Sequence, residues 1–480
     1  MTLVDSAGVR SVVRVPPTIQ IDDLLAATGG RLERPTSVTS VTGASVDSRR
    51  VTPNSCYVAL VGARVDGHRF VVDALRAGAS AALVDRPVVD LPPDLDAAVV
   101  LVPDPLTALQ ELATWWRRRH AVRVVGITGS TGKTVAKEMT ADVLSRTMRT
   151  LRNDGNLNSE TGLPMTLLRL EPEHEVAVLE MSMYTVGEIA RLAEIAQPEV
   201  GVVLAVHPAH LERAGSIERI AQAKAELPRA LPRDGLAVLN ADDPRVAAMH
   251  EMTAAEVRTF GLDQHADVRA EDIVSLGVDG TEFRLRTPWA DRRVVSATPG
   301  RHLVPHALAA AAVAERFAVP LDDVVAALAA GSSAPHRMSV VEAASGARLV
   351  DDTYNASPIS VAAALDFLAE TPLAAGRRRL AVLGDMLELG PDEERLHREI
   401  GARSAGSADA LVAVGERGRW IAEGARAAGA ETVLTASDAD EAAAVLERAL
   451  APGVGDLVLL KASRGIGLER AVELLRAGGD

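Results

Sequence analysis

The stretch Val124-Val125-Gly126-Ile127-Thr128-Gly129-Ser130-Thr131-Gly132-Lys133-Thr134 is an apolar run that ends in a glycine-rich turn carrying a lysine and a threonine. The segment that follows, Val135 to Arg146, suits a helix. Strand, loop and helix in that order make a phosphate cradle. Small residues let backbone N–H groups close on an anion, the lysine adds a point charge, and the helix N-terminus adds a favourable dipole. The Thr134 hydroxyl is of the type that ligates Mg²⁺ in such loops. The spacing is Gly-x-x-Gly-Lys-Thr, and Ile127 stands where the commoner nucleoside-triphosphatase loop has its first glycine. The loop is therefore a variant. A purely structural glycine turn is the alternative, and the β-like run before it and the amphipathic segment after it argue against that.

A length of 480 residues suggests about three domains. Aromatic residues are scarce, so the cores must be built from Ala, Val and Leu. The formal net charge of −14 argues against sequence-independent binding to nucleic acid, which needs clustered Lys and Arg. The basic runs Arg117-Arg118-Arg119 and Arg377-Arg378-Arg379 read as solvated helix ends or loops. The single cysteine, Cys56, excludes an intramolecular disulfide and fits a reducing compartment. No uninterrupted apolar stretch approaches the ~18 residues of a membrane span. The N-terminus lacks a basic region followed by an apolar run, so no signal peptide is expected, and a cytoplasmic protein is.

Taken in order, the fold class expected is α/β with three domains. Residues 1–118 read as a small α/β N-terminal substrate domain, with a short helix from Pro17 to Gly29, strands at Cys56–Val61, Ala81–Val84 and Val99–Val102, and a closing helix from Leu106 to Arg119. Residues 119–333 alternate strand and helix, the pattern of a central ATPase-like parallel sheet. Strands are expected at Val122–Ile127, Val176–Glu180, Val200–Val206 and Leu236–Leu239, then short strands from about Glu256 to Val295 and a helix over Val304–Phe317. In such sheets ligands sit beyond the carboxyl ends of the strands, so Glu180, His207, His210 and Asn240 carry extra weight there. The linker Gly331-Ser332-Ser333-Ala334-Pro335 opens a C-terminal Rossmann-like doubly wound domain, 334–480, with buried strands at Leu380–Asp385, Leu411–Gly415 and Leu457–Leu460. A Gly-x-Gly-x-x-Gly after a strand is absent, so Gly384 and Gly415 do not indicate dinucleotide binding.

With the phosphate loop stand several further stretches: Val46-Asp47-Ser48-Arg49; the loop from Gly62 to Phe70; Gly155-Asn156-Leu157-Asn158; Leu239-Asn240-Ala241-Asp242-Asp243-Pro244; Asp351-Asp352-Thr353-Tyr354-Asn355-Ala356-Ser357-Pro358; and Val382-Leu383-Gly384-Asp385-Met386-Leu387-Glu388-Leu389-Gly390. In this order and spacing, from about residue 20 to 475, the chain resembles the ATP-dependent Mur ligases. The stretches at Asp351–Pro358 and Val382–Gly390 resemble the member that adds D-alanyl-D-alanine to UDP-N-acetylmuramoyl-tripeptide. The resemblance implies an amide ligase that works through an acyl phosphate: ATP phosphorylates a carboxylate, an amine attacks it, and phosphate leaves. Such a site needs Mg²⁺ and fixed cations more than a strong base.

The resemblance also implies roles. Gly129, Ser130, Thr131, Gly132, Lys133 and Thr134 would hold the ATP phosphates. Thr134, Glu180 and His210 would ligate Mg²⁺, joined by Lys224, which matches a lysine that is carbamylated in the family. Without the family match, His210 could equally be structural and Lys224 a solvated helix lysine. Asn240 would contact the adenine side, Arg337 phosphate, and Asp352 the ribose or hinge. Ser48 and Arg49 would hold the UDP-sugar, with Asn158 and Thr161 near its peptide; a turn with a surface ion pair is the plain alternative for Ser48 and Arg49. Tyr354, Asn355 and Pro358 would face D-alanyl-D-alanine, and Lys461-Ala462-Ser463-Arg464 resembles a family Lys-Gly-Ser-Arg. The chain departs from the family where Gly-x-His-Asn-Val-x-Asn-Ala becomes Gly300-Arg301-His302-Leu303-Val304-Pro305-His306-Ala307, losing both asparagines. A monomer is expected. A sister ligase on the same scaffold, a folate-polyglutamate-type ligase, or a nucleotide-binding regulator without turnover are the competing readings.

Overall fold

The computed structural model describes residues 2–4, 10–12, 17–62, 65–208 and 215–478. Its contacts divide the chain into two compact units, residues 1–126, 148–182 and 190–198 in one and residues 127–147, 183–189 and 199–480 in the other. Both are α/β with mainly parallel strand pairing, as the alternating pattern predicts.

The first unit is built on a five-stranded sheet in the order Arg31–Leu32, Ala98–Leu101, Ala81–Val84, Cys56–Val58, Ala44–Ser45. Only the Arg31–Leu32 pairing is antiparallel. The strands Ala81–Val84 and Cys56–Val58 are buried along their length, as expected of parallel strands covered on both faces. The expected first helix is Ile21–Thr28, ended by Gly29 at φ 61°, a left-handed cap that glycine adopts without steric cost. Helix Pro105–Arg118 begins with Asp104 accepting from Thr107 N and proline in the first turn. Cys56 is buried among apolar residues, which pushes its thiol up to about 12 and leaves it unreactive. The unit also holds the parallel pair Thr150–Arg152 and Val176–Glu180.

The second unit carries two sheets. One runs in parallel through Val200–Val203, Leu236–Asn240, Glu256–Gly261 and Val268–Ser275, then continues antiparallel through Thr281–Thr287 and Ala290–Ser296. These last strands are longer than the short ones expected, because charged residues alternate with buried Phe283, Leu285 and Val294 and leave one face solvated. The strand expected over Val200–Val206 ends at Val203: beyond it, Leu204 N donates to Thr128 O, and Val206 N to the Asp243 carboxylate. Helices Lys133–Leu144 and Val304–Arg316 pack together on this sheet. A further helix, Leu321–Ala330, follows Pro320.

The other sheet has six strands in the order Ser339–Glu342, Arg348–Asp351, Leu457–Lys461, Arg379–Gly384, Ala410–Val414, Val433–Ala436, parallel except for the first pair. The last strand in sequence is inserted between Arg348–Asp351 and Arg379–Gly384. Its register sets Leu460 opposite Asp351, and Asp352 N donates to Leu460 O. That insertion brings the end of the chain to the residues after Asp351. Among the described residues, no helix is long and apolar enough to cross a membrane.

Candidate active site

The glycine-rich turn closes on itself in the second unit. Ser130 N donates to Ala205 O, and the Ser130 hydroxyl donates to His207 O while accepting from His207 N. Lys133 Nζ donates to Gly129 O at 2.9 Å, so the lysine folds back along the loop. Gly132 caps helix Lys133–Leu144 at φ 79° with no side-chain cap, and Thr134 lies buried in the first turn. Helix N–H groups without a side-chain cap are an anion site.

A cavity of 240 Å³ opens at this turn. Thr131 and Gly132 line it with Asn240, Arg337 and Asp352, so five residues singled out from the sequence meet around one space. Its apolar wall includes Leu204, Phe260 and Ile359. The Asn240 amide donates to Leu204 O and accepts from Asp242 N, which commits half of its hydrogen-bonding capacity to backbone.

Four further cavity residues were noted in the sequence but assigned no ligand: His207, His302, His306 and Lys461. His207, weighted in the sequence only for its place after a strand, lines the cavity, and burial lowers its pKa. His302 and His306 belong to the stretch that departs from the family pattern. A Cβ built on Gly132 would lie 1.8 Å from His306 Nε2, so the imidazole sits where any side chain on the loop would go. Burial brings both histidines down to about 4, so both are neutral at pH 7. Lys461 Nζ is buried, ion-paired with Asp352 and donating to Asn355 O. Burial lowers its pKa although Asp352 pulls the other way. The sequence signal for its place here, beyond the family-like stretch that contains it, is its position as the polar end of an apolar strand.

Arg337 is half-buried, with its Nε lacking a hydrogen-bond partner and its guanidinium 4.4 Å from the Tyr354 ring centroid. Tyr354 is half-buried and Asn355 exposed, while Pro358 starts a helix capped by Ser357 and Ser360. Lys224 ends helix Ile217–Lys224 and is buried. Burial and then the Lys133 charge hold its pKa well below that of an ordinary lysine. That shift favours the neutral amine, the form that attacks CO₂.

The remaining residues belong to the first unit. Glu180, at the end of its strand, is buried; its Oε1 accepts from Asn158 Nδ2 at 2.6 Å, and its backbone pairs with Asn153 in both directions. Asn153, fully buried, was missed because it precedes the motif containing Asn158. Thr161 Oγ1 is 3.1 Å from Ser159 Oγ. Ser48 opens a short 3₁₀ turn, and Arg49 forks onto Asp47 at 2.9 and 2.8 Å, exposed to solvent. The Arg49 hydrogen bonds draw Asp47 down to about 2. This stretch is a turn whose ion pair lies at the surface. His210 lies outside the described residues, as do two positions, 63 and 64, of the Gly62–Phe70 loop.

A phosphate loop at a strand end and a cavity continuing from it, lined also by Arg337 and Lys461, define an α/β enzyme that uses a nucleoside triphosphate. Residues 40–117 match the model of the Mur ligase family catalytic domain, 127–314 the Mur ligase middle domain, and 336–464 the Mur ligase glutamate ligase domain. The chain is 37% identical to the UDP-N-acetylmuramoyl-tripeptide–D-alanyl-D-alanine ligase of Escherichia coli over 91% of this chain and 94% of that one. The crystal structure of MurF from Acinetobacter baumannii superposes with a TM-score of 0.84 at 31% identity, over 96% of this chain and all of the other. MurF from Thermotoga maritima, solved in complex with ADP, superposes with a TM-score of 0.77 at 30% identity over 91% of this chain and 97% of that one. The chain belongs to the Mur ligase family.

Proposed function

We propose that this chain is the ATP-dependent ligase that joins D-alanyl-D-alanine to UDP-N-acetylmuramoyl-tripeptide, completing the pentapeptide precursor of peptidoglycan in the cytoplasm. The observation that carries this reading is the cavity at Gly132, which gathers Thr131, Asn240, Arg337 and Asp352 at a phosphate loop, in a chain similar to such ligases over nine-tenths of its length. The reading assigns 1–118 to the UDP-sugar substrate, 119–333 to ATP and 334–480 to closure and the amine substrate, acting as a monomer.

In this reading Lys133 and the loop N–H groups hold the β- and γ-phosphates, and Arg337 meets the transferring phosphoryl group. Charge then accumulates on oxygens that face fixed cations already in place, which is where electrostatic catalysis is strongest. Mg²⁺, when bound, supplies further charge neutralisation, with Thr134, Glu180, His210 and Lys224 as the ligands proposed. The residues suit that group. Thr134 offers a hydroxyl in the first turn, Glu180 is a buried carboxylate oriented by Asn158, and burial shifts Lys224 toward the neutral amine that carbamylation requires. The carbamate would set an anion able to meet a metal where the amine stands.

The test is phosphate release with ATP, Mg²⁺, UDP-N-acetylmuramoyl-tripeptide and D-alanyl-D-alanine. Release with single amino acids but not with this dipeptide would transfer the chain to a sister ligase. ATP binding without release for any acceptor would make it a regulator.

A further inference from the structure

Tyr354 carries two guanidinium groups. Arg337 Cζ lies 4.4 Å from its ring centroid and Arg464 Cζ 4.8 Å. Each arginine is delivered by a fixed segment. His336 and Met338, on either side of Arg337, both take φ 55°, a left-handed conformation costly for such residues. His336 is held there by its Nδ1 at 2.7 Å from Asp351, and its carbonyl accepts from Tyr354 N. Arg464 follows Ser463, whose hydroxyl donates to Ala356 O and accepts from Leu387 N. Lys461 Nζ ties the same strand end to Asn355 O.

Two like charges held on one ring are an arrangement that an anion stabilises. Their surroundings differ. Arg337 lines the nucleotide cavity; Arg464 does not, is exposed, and has no carboxylate partner among the described residues. An amine substrate that is a dipeptide brings a terminal carboxylate, and that group needs a cation. Tyr354, Asn355 and Pro358, proposed for that side, offer none, and Lys461 is committed to Asp352 and Asn355 O. A guanidinium stacked on a ring keeps its planar fork of donors free, the geometry that pairs bidentately with a carboxylate.

We infer that Arg464 is the specificity-determining residue that binds the terminal carboxylate of the incoming dipeptide, and that Tyr354 is a positioning residue that holds Arg464 and Arg337 together. This rests on the ligase reading above. The test is steady-state kinetics of the full chain with D-alanyl-D-alanine and with its C-terminal amide, D-alanyl-D-alaninamide. Arg464→Ala should lower kcat/KM for the dipeptide about 10- to 100-fold, the worth of a hydrogen bond to a charged group, and leave KM for ATP unchanged. The amide should cost the wild-type enzyme a similar factor and cost Arg464→Ala nothing further. Arg464→Lys should recover part of the loss. Tyr354→Leu, which removes the ring, should raise KM for both the dipeptide and ATP, and Tyr354→Phe, which keeps the ring, should raise them less. An Arg464→Ala enzyme with unchanged KM for the dipeptide, or one still sensitive to amidation, overturns the inference and leaves the ligase reading standing. A wild-type enzyme that ligates no dipeptide overturns both.

Discussion

The second unit contains two strand–glycine–helix turns that look alike and behave differently. At the first, Gly132 at φ 79° precedes helix Lys133–Leu144. At the second, Gly415 at φ 94° precedes helix Gly418–Ala427. A Cβ on either glycine would strike a side chain: His306 Nε2 at 1.8 Å in the first, Asp385 Oδ1 at 2.6 Å in the second. Asp385 accepts from Arg417 N and Gly418 N at 2.9 Å each, so the second helix N-terminus already holds an anion of the protein's own. Burial raises the Asp385 pKa while those N–H groups lower it. The first turn has a neutral imidazole beside it, and its cavity is walled by Arg337 and Lys461. The turn geometry is therefore not what makes a nucleotide site. The charge already present at the helix end decides.

The strongest way to break this comparison is to disable each turn in kind. Lys133→Ala should cost about 10³-fold in kcat, the upper range for removing a preorganised charge donor. Asp385→Asn should leave kcat and KM for ATP unchanged and cost about 1–3 kcal/mol in urea unfolding, because two buried N–H groups lose an ionised acceptor. Loss of turnover in Asp385→Asn without loss of stability would show that the second turn also serves the reaction.

Lys224 tests the same contrast through chemistry, since the second turn has no counterpart to it in the proposed role. Lys224→Ala should lose about 10²-fold in activity, on the scale of several kcal/mol expected for metal-supported charge stabilisation. Added short carboxylic acids should restore part of it by standing in for the carbamate. Full activity in the variant would remove that role.

How much of this was legible in the sequence follows from the range of the interactions. The phosphate loop could be read because an apolar strand, small residues and a helix stand next to one another in the chain. Strand Val176–Glu180 was readable to the residue for the same reason. Helix Leu321–Ala330 went unread although Pro320 before it and Asp322 and Asp323 in its first turn are start signals. What could not be read are contacts between distant segments. The plug at Gly415 needs Asp385, the imidazole at Gly132 needs His306, and the arginine pair on Tyr354 needs the last strand inserted in mid-sheet. The lowered pKa of Lys224 is likewise a product of burial, which its own helix does not announce.

The glycines themselves give the next effect. Gly132→Ala and Gly415→Ala should each cost about 1–3 kcal/mol of backbone strain at positive φ. The alanine at 132 should also push His306 into the cavity and raise KM for ATP about 10-fold, by a further ~1.4 kcal/mol. The alanine at 415 should appear in stability alone. Equal effects on KM for ATP would mean the two turns are not functionally distinct.

The smallest effect concerns protons, and there the two turns converge. His302 and His306 are held near 4 by burial, against an ordinary value of 6.5. Burial also lowers His397, beside Asp385, where Nδ1 lies 2.6 Å from Glu393 O and Nε2 accepts from Met386 N. The unfolded chain takes up a proton at each as pH falls through 6.5, before the folded one does. The unfolded state then binds more protons, so stability is greatest above pH 6.5 and falls below it, toward pH 4 for His302 and His306, by about 1 kcal/mol per pH unit for each of those two, with His397 acting in the same direction. Urea midpoints between pH 7 and 5 should show this slope, and His306→Asn should flatten it without loss of stability at pH 7, since the His306 ring makes only a long hydrogen bond, to Leu303 O at 3.3 Å, among the described residues. His397→Gln should flatten it too, but should lower stability at pH 7, because His397 supplies two backbone partners. An unchanged acid slope in His306→Asn would mean that His306 titrates alike in the folded and unfolded chain, so that the ring charges beside the loop as pH falls through 6.5, where the comparison requires it to stay neutral.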